Sequence, residues 1–190
     1  MKDSRRSFLL EPPLQPIVAG LAFLRHSRFR LREDYLVKIR RSVELLDDKQ
    51  IWSRLNWESN SIGNLLLHLA GNLRQWVICG IGGARDGRQR SLEFTAHESR
   101  TRDELLQLLE STIDEADQIL ARLVEEVESD GDEAPLQRTI VPQGYSQTVL
   151  DAVFHVVEHF SYHTGQIVLL AKWQKGSAIA LYDETELENR

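Results

Sequence analysis

The sequence predicts an all-α fold, a four-helix bundle with long crossover connections. Three observations predict it. Apolar residues recur at threes, fours and sevens in four separate stretches, with charged residues between them. Residues 82–100 and 129–146 break that rhythm with glycine and proline, so they read as long connections. With 190 residues and 42% hydrophobic composition, the chain is long enough for one domain with a full core.

The elements follow in order. Residues 1–20 hold three of the five prolines and read as a flexible leader. Ser4-Arg5-Arg6-Ser7-Phe8-Leu9 is superficially like a twin-arginine export signal. Glu11, Pro12, Pro13 and Pro16 stand where an apolar run should begin, which favours the leader reading. From about Leu21 to Leu46 the spacing of Leu24, Leu31, Tyr35, Ile39, Val43 and Leu46 predicts the first helix. Ile51–Trp57 is a connection whose Trp52 and Trp57 are expected to plug one end of the core.

A second helix should start at Ser59 or Ser61 and run to about Ile78, where Gly80, Gly82 and Gly83 stop it. Residues 82–100 show no periodicity and form a crossover. Thr101-Arg102-Asp103-Glu104 is a capping-box pattern opening the third helix. Leu105, Leu109, Ile113, Ala116, Leu120, Leu123 and Val127 give that helix its apolar face; the acidic face opposite reads as solvated surface. A brief extended piece is expected at Thr139–Val141, and the fourth helix should run from Ser146–Thr148 to about Trp173. One domain over 21–176 and a tail over 177–190 complete the reading.

Composition narrows the partners. A net charge of −6 weighs against nucleic acid, although residues 1–32 are basic, with seven Lys/Arg against two Asp/Glu. No apolar run approaches the roughly 20 residues that span a bilayer. The single cysteine, Cys79, excludes an internal disulfide and fits a reduced, cytoplasmic setting.

Histidine placement is the sharpest functional signal. His155, His159 and His163 lie four residues apart on the fourth helix, and His68 lies mid-way along the second. Residues i and i+4 share a helix face, so neighbouring members can grip one cation. Advancing about 100° per residue from His159 centres the apolar arc of the fourth helix near 90°. His163 then falls at about 40° and His155 at about −40°, which points the first inward and the second toward the rim. His68 sits at the edge of its own helix's apolar arc, on a stripe with Asn64, Asn72 and Gln75. Two histidines from one helix and one from another match the ligand count of an open metal site. The competing account is that these are hydrogen-bonded interior histidines. His155-Val156-Val157-Glu158-His159 also spells the inverted zinc-protease pattern H-x-x-E-H. Only 31 residues follow His159, and His155 points away, so that reading is set aside.

The segments SIGNLLLHLAGNLRQWV, GGARDGRQRSLEF and VLDAVFHVVEHFSYHTGQIVLLAKW resemble the DinB/YfiT-like superfamily of metal-binding four-helix proteins, and within it the branch DUF1572. The resemblance spans about Leu24 to Trp173. It implies a divalent metal held by His68, His159 and His163, an unusual connection order, and a homodimer. Zinc is the first expectation, with nickel, iron or manganese as alternatives. Many superfamily members carry H-R-G-Q where this chain has Thr164, so no anion contact is inferred there. Asn64, Asn72, His155 and Gln166 are candidates for orienting ligands or substrate. Asp86, Arg88, Arg90 and Glu93 are read either as a loop stapled by salt bridges or as an anion-binding loop using Arg88 and Arg90.

These readings point to a metal-dependent hydrolase or thiol-dependent transferase acting on a small molecule, with a low-molecular-weight thiol as a further cofactor candidate. The alternative is a non-enzymatic, stress-associated dimer whose metal is structural.

Overall fold

The computed structural model describes residues 19–176 and 179–182. The leader and most of the C-terminal tail named above lie outside the described residues. Ala19–Phe29, Arg30–Tyr35 and Leu36–Val43 run on as one rod, α1, with a π-helical middle. Then come α2 (Asp48–Trp52) and α3, which is Ile62–Leu73 continued as a π-helix over Arg74–Ile81. Two further short helices, α4 (Arg90–Thr95) and α6 (Ala134–Gln137), flank the long α5 (Arg102–Asp130). Strands β1 (Thr139–Ile140) and β2 (Gln147–Thr148) pair antiparallel just before α7 (Val149–Lys175).

Helix starts follow the residues. Ser61, Thr101 and Thr148 each accept from the backbone N–H three residues on, and the side chain at that position reaches back to the cap. These reciprocal bonds satisfy amides that the helix itself leaves orphaned. Gly131 and Gly176 close α5 and α7 at φ of 68° and 66°, in the left-handed region where a Cβ would be strained.

Periodicity became packing. Leu24, Leu31, Tyr35, Ile39 and Val43 of α1 are buried, as are Leu105, Leu109, Ile113, Ala116, Leu120, Leu123 and Val127 of α5. α3 packs on α5 and α7, and α1 packs on α5 and α7, which makes the all-α bundle. The acidic face of α5 is more engaged than a solvated surface. Arg28 forks onto Asp117 at 2.7 and 3.0 Å, Arg32 reaches Asp114 at 2.8 Å, and Arg40 reaches Glu110 at 2.7 Å. The outer pairs, Arg32–Asp114 and Arg40–Glu110, contribute little stability each, roughly 0–1 kcal/mol, but with the part-buried Arg28–Asp117 fork they set which faces meet. The basic excess at the start of the chain is thus partly absorbed by α5.

Three expectations need correcting. Trp52 plugs the core at 3% exposure, but Trp57 is 95% exposed in the turn before α3. The crossover is not structureless, because α4 forms within it. The extended piece is Thr139–Ile140 and has a partner strand.

Candidate metal centre

α3 and α7 bring His68, His159 and His163 together: one ring nitrogen from each lies within 4.8 Å of the others. His68 and His163 are buried and His159 is partly so. Nε2 of His68 faces Nε2 of His159 at 2.9 Å. Ring centroids of His68 and His163 are 5.1 Å apart, and those of His159 and His163 are 4.5 Å apart.

Protons are assigned by the outer contacts. Glu93 Oε2 lies 2.8 Å from His68 Nδ1. An ionised carboxylate only accepts, so Nδ1 carries a proton, which in the neutral ring leaves the lone pair on Nε2. Arg88 holds that carboxylate as a fork, Nε to Oε1 at 2.6 Å and Nη2 to Oε2 at 2.8 Å. Burial pushes the Glu93 carboxyl up, but Arg88 and His68 outweigh it and hold it below its usual range. His163 Nδ1 donates to Gln166 Oε1 at 2.7 Å, which again leaves the lone pair on Nε2. Burial, reinforced by His163 and His68, depresses His159 to about 3. Burial likewise lowers His163, against the pull of Gln166. At neutral pH His159 and His163 are therefore neutral.

That donor set fits a divalent cation. Nitrogens sharing a tetrahedral ion at about 2.0–2.1 Å are about 3.3 Å apart, within the spread of this cluster after small ring movements. His159 Nδ1 is buried without a hydrogen-bond partner among the described residues, so no outer contact holds a proton there. The ring can turn its Nε2 lone pair to a cation in place of the Nε2–H···Nε2 contact with His68. A cation accepts lone pairs that two outward-locked imidazoles already present.

The other sequence candidates occupy distinct places. His155 is half-buried, not turned to solvent; its ring lies 4.0 Å from that of Trp76, and Asn72 Nδ2 is 3.2 Å from its Nε2. Burial holds His155 below its usual value. Among the described residues Asn64 makes no hydrogen bond to a histidine: it completes the cap of α3 and donates to the carbonyls of Glu93 and Ala96, both at 2.9 Å. It therefore acts by pinning α4 against α3. Arg88 also donates to Gln75 Oε1 at 2.9 Å, while the Arg90 guanidinium stacks 4.8 Å from the Phe94 ring centroid.

Two site residues carry roles that the sequence reading did not give them. Glu93 was read as part of a salt-bridged or anion-binding loop, not as the partner of a histidine. Gly71 lies one helical turn beyond His68, and a Cβ there would fall on Glu93 Oε1. Its proximity in sequence to His68 was the available signal.

Residues 19–181 match the family described as "Protein of unknown function (DUF1572)". The chain belongs to the DUF1572 family. A crystal structure of a dinb-like protein from Bacillus cereus ATCC 10987 has a similar fold, with a TM-score of 0.50 and 14% identity. That similarity covers 80% of the DUF1572 chain and 93% of the other. No protein of curated function matches. Among the described residues, no helix is long and apolar enough to cross a membrane.

Proposed function

We propose that this DUF1572 chain is a divalent-metal-dependent enzyme acting on a small molecule, as a hydrolase or a thiol-dependent transferase. His68, His159 and His163 hold the ion, with zinc favoured because three neutral imidazoles suit it. The observation that supports this reading is the pair of outer contacts, Glu93 on His68 and Gln166 on His163, which occupy both Nδ1 atoms and leave each Nε2 to serve as ligand in a cluster of three histidines. When bound, the ion supplies Lewis acidity and activates a water or thiol nucleophile near neutral pH. The chain's part is to present neutral ligands, to hold His68 in one tautomer through Glu93, and to limit water through the Phe94 ring beside His68. The place of action is the cytoplasm, a reading supported by the single cysteine.

A homodimer belongs to the same proposal. Phe154, Tyr162, Leu169 and Trp173 are each more than half exposed and fall within about 100° of one face of α7. Gly165 lies within that face, and a Cβ there would meet nothing within 4 Å. Exposed Glu158 and Lys172 share that arc, so the stripe is apolar residues interspersed with charges of both signs, a surface that a second copy of α7 can cover.

The test is cobalt substitution. An enzyme's ion has an exchangeable position, so the visible spectrum of the cobalt form should shift when a small thiol or azide is added. A spectrum that ignores both, together with collapse of thermal stability on chelation, would instead establish a structural metal.

A further inference from the structure

A tryptophan that is 95% exposed calls for a partner, because aromatic rings gain most from burial. Trp57 sits in a tied turn: Asn56 Oδ1 accepts from the backbone N–H of Glu58 at 3.0 Å and of Ser59 at 2.9 Å. It borders a pocket of about 650 Å³ lined also by Trp52, Arg54, Asn56, Phe94 and His97. That volume lies within the range of small-ligand sites, roughly 300–1,000 Å³.

Two features join this pocket to chemistry. Phe94 is a shared wall, since its ring centroid is 4.7 Å from that of His68. Among the described residues Arg54 is anchored by neutral oxygens alone: Nη2 donates to Asn64 Oδ1 at 2.9 Å and to the Phe94 carbonyl at 2.7 Å. Among the described residues no carboxylate pairs with its guanidinium, in contrast to Arg88, which Glu93 neutralises. A fixed, unneutralised arginine beside aromatic walls is a receptor for an anion carried on a flat apolar body.

We propose that this pocket binds the body of the substrate, and that the substrate class is a small molecule with a flat apolar ring system bearing a carboxylate or similar anion. Trp57 covers the ring system, Arg54 takes the anion, and Phe94 is the wall over whose edge the bound body extends toward His68. The reacting end rests on the metal reading above; the binding end does not.

The probes are naphthalene-2-carboxylate and its uncharged carboxamide, titrated into the full chain in cobalt-loaded and chelator-treated forms. The carboxylate should bind saturably to both forms and more tightly than the amide. Trp57→Ala should weaken it about tenfold, with recovery in Trp57→Phe. Arg54→Gln, which keeps an amide donor and removes the charge, should erase the preference for the carboxylate. Trp173→Ala, on the far apolar stripe, should change nothing. Proton relaxation of the bound probe should be enhanced by cobalt. Binding that ignores Trp57 and Arg54, or no saturable binding, overturns the proposal. Cobalt retention, read from its absorption, reports on the metal separately: probe binding without cobalt retention removes the metal reading and leaves the pocket, and cobalt retention without probe binding does the reverse.

Discussion

Glu93 Oε2 lies 2.8 Å from Nδ1 of His68, from a helix of only six residues. The contact ties the crossover to the centre of α3, and Arg88 closes it from the other side with a two-point grip. Their side chains are only 10% and 6% exposed, so the pair is an interior one. Removing one partner of such a pair is costly because the other is left charged and dry.

Glu93→Gln is expected to lower metal affinity about 10–100-fold, because the His68 proton loses its anionic acceptor. It should also destabilise the metal-free chain by about 3 kcal/mol, through the stranded Arg88. Competition with a chromophoric chelator and urea melts check the two effects. Unchanged affinity would remove Glu93 from the site.

Gly71→Ala tests the same contact from the other side. The added methyl collides with Glu93 Oε1, so the carboxylate must shift from the position in which Arg88 and His68 hold it. We expect weaker metal binding comparable to Glu93→Gln while the helix itself gains propensity, about 1 kcal/mol for an exposed site. Wild-type affinity in this variant would show that α4 does not hold its carboxylate against His68.

Low pH should unfold the metal-free chain early. His155, His159 and His163 all lie below their usual value, chiefly through burial, with His159 near 3. Unfolded, each takes up a proton near 6.5, so the unfolded state binds more protons as pH falls below that value. Stability is therefore complete above about 6.5 and declines toward 4.5, before the depressed Glu93 carboxylate begins to add its own loss. The melting temperature followed across that window should fall steadily, and less steeply in His159→Ala. A flat profile would mean that the rings are as accessible folded as unfolded.

The exposed face of α7 leads to an oligomer prediction. Leu169→Arg, at the middle of the stripe bordered by Tyr162 and Trp173, should convert a dimer to a monomer with little change in melting temperature. Light scattering coupled to gel filtration reads the mass. A wild-type chain that is monomeric at high micromolar concentration contradicts the proposal.

Helical phase made the meeting of His68, His159 and His163 legible, because the geometry of a regular helix is fixed by residue spacing alone. The position of His155 was less legible. The same phase argument turned it outward, yet Trp76 packs on it from the π-helical stretch Arg74–Ile81. A π segment winds with i→i+5 bonds, which shifts the phase of everything on it, and nothing in the local residues announced one. Glu93 and Arg88 lay in a segment without periodicity, so their contact depends on tertiary folding of the crossover. Trp57 looked like core by residue type alone; the Asn56 turn that displays it competes through side-chain hydrogen bonds that hydrophobicity does not register.

Metal content of untagged protein, purified without chelator and measured by plasma mass spectrometry, tests the central claim most directly. About one divalent ion per chain is expected in the wild type and in His155→Ala, and close to none in a still-folded His159→Ala. A folded wild type that carries no metal and takes up none from added zinc, cobalt, nickel, iron or manganese would contradict it.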